Sequence, residues 1–335
     1  MKIMTIGSAM RDIFIQHQNI ETKKFEHNGA QECFVLLREG AKIEVDAIEY
    51  YTGGGATNSA ISLSRLGFDV TTFCKVGNDN QANAITQELT QEKINTDLII
   101  QHKKISTGSS FIIPCPSGNR TVLIYRGANI TIEKKDIPFE QIKKMDQLYI
   151  TSLSQKTSDL LLPITDFAKQ QNIPVATNPG TSQLESGAPI LKKCLANIDI
   201  LILNAYEASL LGCSLHGNKN NCSREDYFKY VLDKGPRIAV VTDGANGVYV
   251  ATQESTYFHP SIPTNVVSTL GAGDAFASCF VASILERRSI TESLVRGIIN
   301  SSSVIQYLDA KTGLLDSQEL ADRFTQIGIN KIQKN

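Results

Sequence analysis

The stretch "VVSTLGAGDAFASCFVASILE" runs from Val266 to Glu286. Between its two ends, Asp274 is the only side chain that carries a charge at neutral pH. It follows Gly271, Ala272 and Gly273, which have almost no side chains. Phe276, Phe280 and Ile284 then recur four residues apart, with Val281 and Leu285 beside them, as on a buried helix. Small residues before a helix leave backbone amides open. Together with the positive end of the helix dipole, these amides form an anion site. A carboxylate beside such a site can take a proton from an attacking hydroxyl while the amides steady a phosphoryl group. Asp is also a favoured helix cap, so this stretch read alone leaves both meanings open.

Around it, short apolar strands alternate with helical patterns. "MKIMTIG" and "DVTTFCKVG" read as strands, and "TNSAISLSRLG" and "QANAITQELTQEK" as helices. Later come "QLYITSL", "IPVATNPG" and "IDILILN" as strands, with helices between them. "IDILILN" is nearly all apolar, as a strand covered on both faces should be. The alternation predicts an α/β fold, a doubly wound and mostly parallel sheet flanked by helices.

Two segments interrupt this rhythm. Residues 14–50 contain "ECFVLLREGAKIEVDAIEYY", strand-like with no helix between. Residues 106–126 contain two strands around Pro-Ser-Gly-Asn, a hairpin signal. These segments are expected to form a small β-sheet lid over a main body of residues 1–13, 51–105 and 127–330. "HGNKNNCSRED" (216–226) reads as a polar loop. Its Cys and His spacing matches no zinc pattern.

The 335 residues carry 33 Lys+Arg against 34 Asp+Glu. Such a balance gives no broad electrostatic footprint for nucleic acid or an anionic membrane. Seven scattered cysteines without a C-x-x-C pair fit reduced thiols and a cytoplasmic location. The apolar start is cut short by Arg11 and Asp12, and no run is long enough to span a bilayer.

Three further patches suit ligand binding. "GGGATNSA" (53–60) is neither a P-loop nor a dinucleotide fingerprint. Its Gly54 and Gly55 would let a small polar ligand approach the backbone, and Asn58 offers an amide that both donates and accepts. Asp12 lies just after the first strand, near where ligands bind in parallel sheets, and could hold paired hydroxyls. "NAYE" (204–207) and "TDGANG" (242–247) each follow an apolar strand. Asn204 and Glu207 could reach water around magnesium. Thr242, Gly244 and Gly247 could turn amides toward phosphate.

Together these patches resemble the ribokinase-like, or phosphofructokinase-B type, carbohydrate kinases. "STLGAGD" (268–274) is similar to the family's DTxGAGD signature, "GGGATNSA" to its Gly-Gly-rich turn, Asn204–Glu207 to N-x-x-E and Thr242–Gly247 to T-x-G-x-x-G. The resemblance implies an ATP-dependent sugar kinase using Mg2+. Asp274 would be the general base and Gly271, Ala272 and Gly273 the anion hole. Asp12, Gly54, Gly55 and Asn58 would hold the sugar, with Arg126 at the end of the lid hairpin meeting a charged substrate group. Asn204, Thr242, Gly244 and Gly247 would face ATP, Asn300 would lie near the adenine, and Glu207 would reach the metal through water. A nucleoside as acceptor, or a catalytically silent sugar or nucleotide sensor, are the alternatives. Pairing of lids implies a homodimer, and "CFVLL" (33–37) would suit it. Two positions depart from the pattern. Ser268 stands where the family usually has Asp, which puts a monovalent cation in doubt, and Asp309 stands where Gly is usual.

Overall fold

The computed structural model describes every residue except 18–19, 28–29, 116–119, 186–187, 217–221, 329–332 and 335. Its strands, in chain order, are β1 (Lys2–Ile6), β2 (Met10–Gln16), β3 (Thr22–His27), β4 (Ala30–Val35), β5 (Ala47–Gly53), β6 (Asp69–Gly77), β7 (Ile99–His102) and β8 (Gly108–Pro114). Then follow β9 (Arg120–Tyr125), β10 (Gln147–Ile150), β11 (Val175–Thr177), β12 (Ile200–Asn204), β13 (Ile238–Thr242), β14 (Val248–Ala251), β15 (Thr256–His259) and β16 (Gln333–Lys334).

The large sheet has the order β16-β15-β14-β13-β12-β11-β10-β1-β6-β7. From β7 to β13 every pairing is parallel, and β14, β15 and β16 complete one edge in antiparallel fashion. Alternate residues of one strand enter opposite cores. Ile200 and Ile202 of β12 join the helices Gly55–Arg65, Asn80–Gln91, Ala272–Leu285 and Ile290–Val304, whereas Leu201 and Leu203 join Leu161–Gln170, Ala205–His216 and Arg224–Leu232. This two-faced burial is why β12 is apolar throughout. Among the described residues no helix is long and apolar enough to cross a membrane.

From β1 the chain runs outward to β6 and β7, then returns to β10 on the other side. The order therefore reverses between β1 and β10, and the crevice outside their carboxyl ends is where such sheets bind ligands.

A second sheet, β5-β2-β8-β9, stands apart, with the hairpin β3–β4 as a separate pair. The second sheet therefore begins at Met10 and includes Tyr51–Gly53, so the expected boundaries at 13/14 and 50/51 each fall inside a strand. Alternation explains the misplacement: "MRDIFIQ" buries Met10, Asp12 and Phe14 on one face, and sequence alone does not say which sheet that face belongs to. The Pro-Ser-Gly-Asn turn lies outside the described residues, as do residues 217–221 of the 216–226 loop. The end of that loop is helical, because Ser223 caps Arg224–Leu232 through Asp226 N.

Candidate active site

Asp274 lies in the first turn of the helix Ala272–Leu285, which begins after Gly271. Gly271 has φ +75°, and a Cβ there would fall 2.3 Å from the Cβ of Ala310. Only glycine meets both demands. At Gly273 an added Cβ would meet nothing within 4 Å, so the helix start opens onto empty space. Its first-turn amides are among those a helix cannot satisfy by itself.

Asn58 Nδ2 donates to Asp274 Oδ2 at 2.8 Å. Asn58 sits in the helix that follows Gly54, whose φ is +101° and where a Cβ would fall 2.5 Å from the Ser8 carbonyl oxygen, which leaves no room for a side chain. Asp12 is buried at 6% exposure and lies in β2 between Tyr51 and Ser110, on the second sheet instead of just after β1. Burial pushes the carboxyls of Asp12 and Asp274 up to about 6. For Asp274 the Asn58 bond opposes that rise and the negative charge of Asp12 adds to it; for Asp12 the bond from Ser110 and the Lys311 ammonium oppose it.

Three cavities meet here. The first, about 250 Å3, is lined by Asp12, Gly54, Gly55, Asn58, Arg126, Gly271 and Asp274, with Gly7, Ser152 and Ser154 from the ends of β1 and β10. It lies at the predicted crevice, and it gathers all the residues expected to hold the sugar. Arg126 Nη1 donates to Ser154 Oγ at 2.6 Å. The second, about 390 Å3, is lined by Thr242, Gly244, Gly247, Ala272 and Gly273, with Phe276, Ile298, Ser301, Ser302 and Ile305 as an apolar and hydroxyl wall. The third, about 240 Å3, contains Gly55, Asn204, Glu207, Thr242, Gly273 and Asp274. It shares Asp274 with the first cavity and Gly273 with the second.

Asn300, expected near the adenine, directly precedes Ser301 and Ser302 of the second cavity but does not itself line it. It is wholly buried; Nδ2 donates to the Ala275 carbonyl at 2.9 Å, and Oδ1 accepts from Leu315 N at 3.0 Å. Its polar atoms are used to join helices, and Ser301 and Ser302 form the wall instead. Asn204 and Glu207 form a reciprocal cap: Asn204 N donates to Glu207 Oε2, and Glu207 N to Asn204 Oδ1. Glu207 Oε1 also accepts from Thr181, and burial raises its carboxyl pKa. Ser268 is buried, and its Oγ accepts from Leu270 N. Asp309 also acquires a reason, since its Oδ1 accepts from the amides of Lys311 and Thr312 and so shapes that turn.

Two positioning groups escaped sequence reading. Asn129 clamps Ala9 by accepting from its amide and donating to its carbonyl, both at 2.9 Å, which fixes the chain just before β2. Lys311 is 3% exposed and bonds Glu88 and Thr52 beneath Asp12. Neither lies in a local pattern; only the fold brings their partners near.

The profile of the pfkB family carbohydrate kinases matches residues 2–317. A ribokinase of Staphylococcus aureus is 26% identical over 272 residues, which span 80% of this chain and 86% of that protein. The solved Arabidopsis thaliana ribokinase complexed with ribose and ATP superposes with a TM-score of 0.77 at 20% identity, covering 96% of this chain and 97% of that one. The nucleoside kinase of Methanocaldococcus jannaschii, an archaeal member of the ribokinase family, gives 0.77 at 18% identity, covering 97% and 98%. The chain belongs to the pfkB family of carbohydrate kinases. It is therefore a phosphotransferase with a sugar hydroxyl as acceptor, built on the ribokinase fold.

Proposed function

We propose that the chain transfers the γ-phosphoryl group of ATP to a hydroxyl of a small sugar bound in the first cavity, with ATP in the second. The observation that carries this reading is the position of Asp274. It is held by Asn58, faces the first and third cavities, and stands in the first turn of an open helix N-terminus. Asp12, Asn58 and the backbone at Gly54 and Gly55 orient the sugar, and Arg126 meets its far side. The carboxylate of Asp274 takes the hydroxyl proton as the acceptor oxygen attacks. The amides at Gly271–Gly273 receive the charge of the migrating group.

Among the described residues no cluster of three His, Cys, Asp or Glu could hold a metal by itself. That suits magnesium, which is commonly carried in on phosphate oxygens and keeps its waters; Glu207 would touch those waters. Once bound, the ion neutralises β- and γ-phosphate charge. The lid's outer side exposes Ile48, Tyr50, Phe111 and Leu123, which would suit pairing with a second copy.

The test is ADP formation over a panel of sugars, sugar acids and nucleosides, repeated with Asp274→Asn. The expected outcome is turnover on one acceptor class and a fall in kcat of about 10³-fold in the variant, with ATP affinity kept. Turnover on nucleosides alone would transfer the first cavity to that class. Nucleotide binding without turnover on any acceptor would favour a sensor.

A further inference from the structure

Tyr149 lies in β10 and has no exposed surface. Its register neighbours are Thr5 of β1 and Ala176 of β11, and its ring joins the core on the face covered by the helices Gly55–Arg65 and Ala272–Leu285. Those two helices carry Asn58 and Asp274. The phenol is therefore on the same side of the sheet as the bonded pair Asn58–Asp274, and the charge of Asp274 is felt there. Neither Tyr149 nor Ser59 lines any of the three cavities. Their hydroxyls stand on the closed side of the carboxylate, away from any ligand.

Unmet hydrogen-bonding capacity makes this placement informative. Among the described residues, five buried side-chain polar atoms have no hydrogen-bond partner, and three of the five are Asn58 Oδ1, Ser59 Oγ and the Tyr149 hydroxyl. Such groups are costly in a core, so Phe at 149 and Ala at 59 would serve packing better. The Ser59 hydroxyl is near enough to Tyr149 to ease its ionisation slightly, yet neither has a well-formed partner. An O–H rotor without an acceptor turns toward the strongest nearby field, here that of the Asp274 carboxylate. Burial, and next the charge of Asp274, push the phenol pKa far above its ordinary value, so Tyr149 keeps its proton. Among the described residues, Asn58 is the one side chain that hydrogen-bonds the carboxylate of Asp274. A buried carboxylate that must stay charged calls for more than one donor.

Resting on the reading of Asp274 as the general base, we propose that Tyr149 is a positioning residue for it: the phenol, with Ser59 beside it, turns its hydroxyl hydrogen toward the Asp274 carboxylate and keeps that carboxylate charged for proton abstraction. The acceptor's proton passes to Asp274, and Tyr149 neither gives nor takes one. Asp12 is the other charge acting on Asp274, and it works against ionisation. Asp12 itself faces Ser110, Lys311, Arg11 and Asp309, so its own titration is set on the far side of the site from Tyr149.

The experiment measures denaturant unfolding of the wild type, Tyr149→Phe and Ser59→Ala at pH 5 and pH 8, and kcat/KM against pH on whichever acceptor the wild type uses. Phenylalanine fills the same space and leaves no partner unpaired, so the variant keeps the fold. Tyr149→Phe is expected to lose stability at pH 8 relative to pH 5 by about fivefold in the unfolding equilibrium, about 1 kcal/mol. The sign follows from Asp274, which is charged at pH 8 and protonated at pH 5. The acid limb of kcat/KM is expected to move up by about 0.7 of a pH unit, a loss of about fivefold below the limb and much less at pH 9. Ser59→Ala should move both readouts the same way by less. In an Asp274→Asn background the pH-dependent loss is expected to vanish, which ties it to that carboxylate. Equal stability changes at both pH values with an unmoved limb, or a loss that persists in the Asp274→Asn background, would reduce Tyr149 to packing and overturn the proposal. Wild-type turnover in Asp274→Asn would overturn the base reading itself, and the role of Tyr149 with it, whatever the unfolding data show.

Discussion

Asn58 Nδ2 lies 2.8 Å from Asp274 Oδ2, although 216 positions separate them in the chain. One amide thus holds the carboxylate in place and favours its charged form. The opposing effects are burial, which is the larger, and the charge of Asp12. A general base must be ionised, so kcat/KM is expected to fall below about pH 6, where Asp274 takes up its proton. Asp12 titrates in the same range, so the acid limb reports the pair. Asn58→Ala removes the bond that lowers the Asp274 pKa, and the limb is expected to move to higher pH. Its sugar KM should also rise more than its ATP KM. A limb that stays in place, with the ATP KM rising more, would assign the Gly53–Asn58 turn to the nucleotide.

The same burial has a cost in stability. Asp12 titrates near 6 in the fold against an ordinary 3.8, so the fold prefers its protonated form. Its contribution is favourable below about pH 4 and is lost as pH rises through 6. Asp12→Asn is therefore expected to stabilise the protein at pH 8, by roughly 2 kcal/mol, and to give no gain at pH 4. Thermal melts at the two pH values check this. Weaker sugar binding by the more stable variant would identify the carboxylate as retained for function.

Ser268 bears on ion dependence. Its hydroxyl carries no charge, and its oxygen already accepts from Leu270 N at 3.2 Å. A site centred there would hold a monovalent cation weakly. Replacing potassium by sodium or choline at constant ionic strength is expected to change kcat by less than about twofold. A tenfold activation by potassium would mean that carbonyl oxygens of the loop suffice without the usual carboxylate.

The doubly wound sheet was legible because its signal is local. "IDILILN" cannot be half-exposed, and the glycines at 53–55 and 271–273 mark backbone that ligands approach. The grouping of Asp12, Asn58 and Asp274 around one cavity was readable only through the family's motifs, since no spacing joins positions so far apart. Burial of polar groups was the part that the sequence left unread. Asn300 looks like any helix-surface amide in the sequence, yet it is fully enclosed and bonded to Ala275 and Leu315. The strand Met10–Gln16 alternates cleanly, but its membership of the lid depends on partners at Ala47–Gly53 and Gly108–Pro114.

Lys311 shows the same difficulty and yields the final expectation. Its ammonium lies 2.5 Å from Glu88 Oε2 and also bonds Thr52, which ties the helix Asn80–Gln91 and the lid strand β5 to the turn shaped by Asp309. Burial lowers its pKa, and Glu88 is the main opposing influence. Lys311→Met keeps most of the volume and removes the charge. Glu88 is 35% exposed and can turn to water, so the loss should be smaller than for a fully buried pair, about 2 kcal/mol by denaturant unfolding. Lys311 also lowers the Asp12 pKa, so its removal should move the Asp12 part of the acid limb to higher pH. The two readouts separate its roles. A stability loss with an unmoved limb would make Lys311 a tie between lid and body only. A shifted limb in Lys311→Met that disappears in the Lys311→Met, Asp12→Asn double variant would place it in the electrostatics of the sugar site.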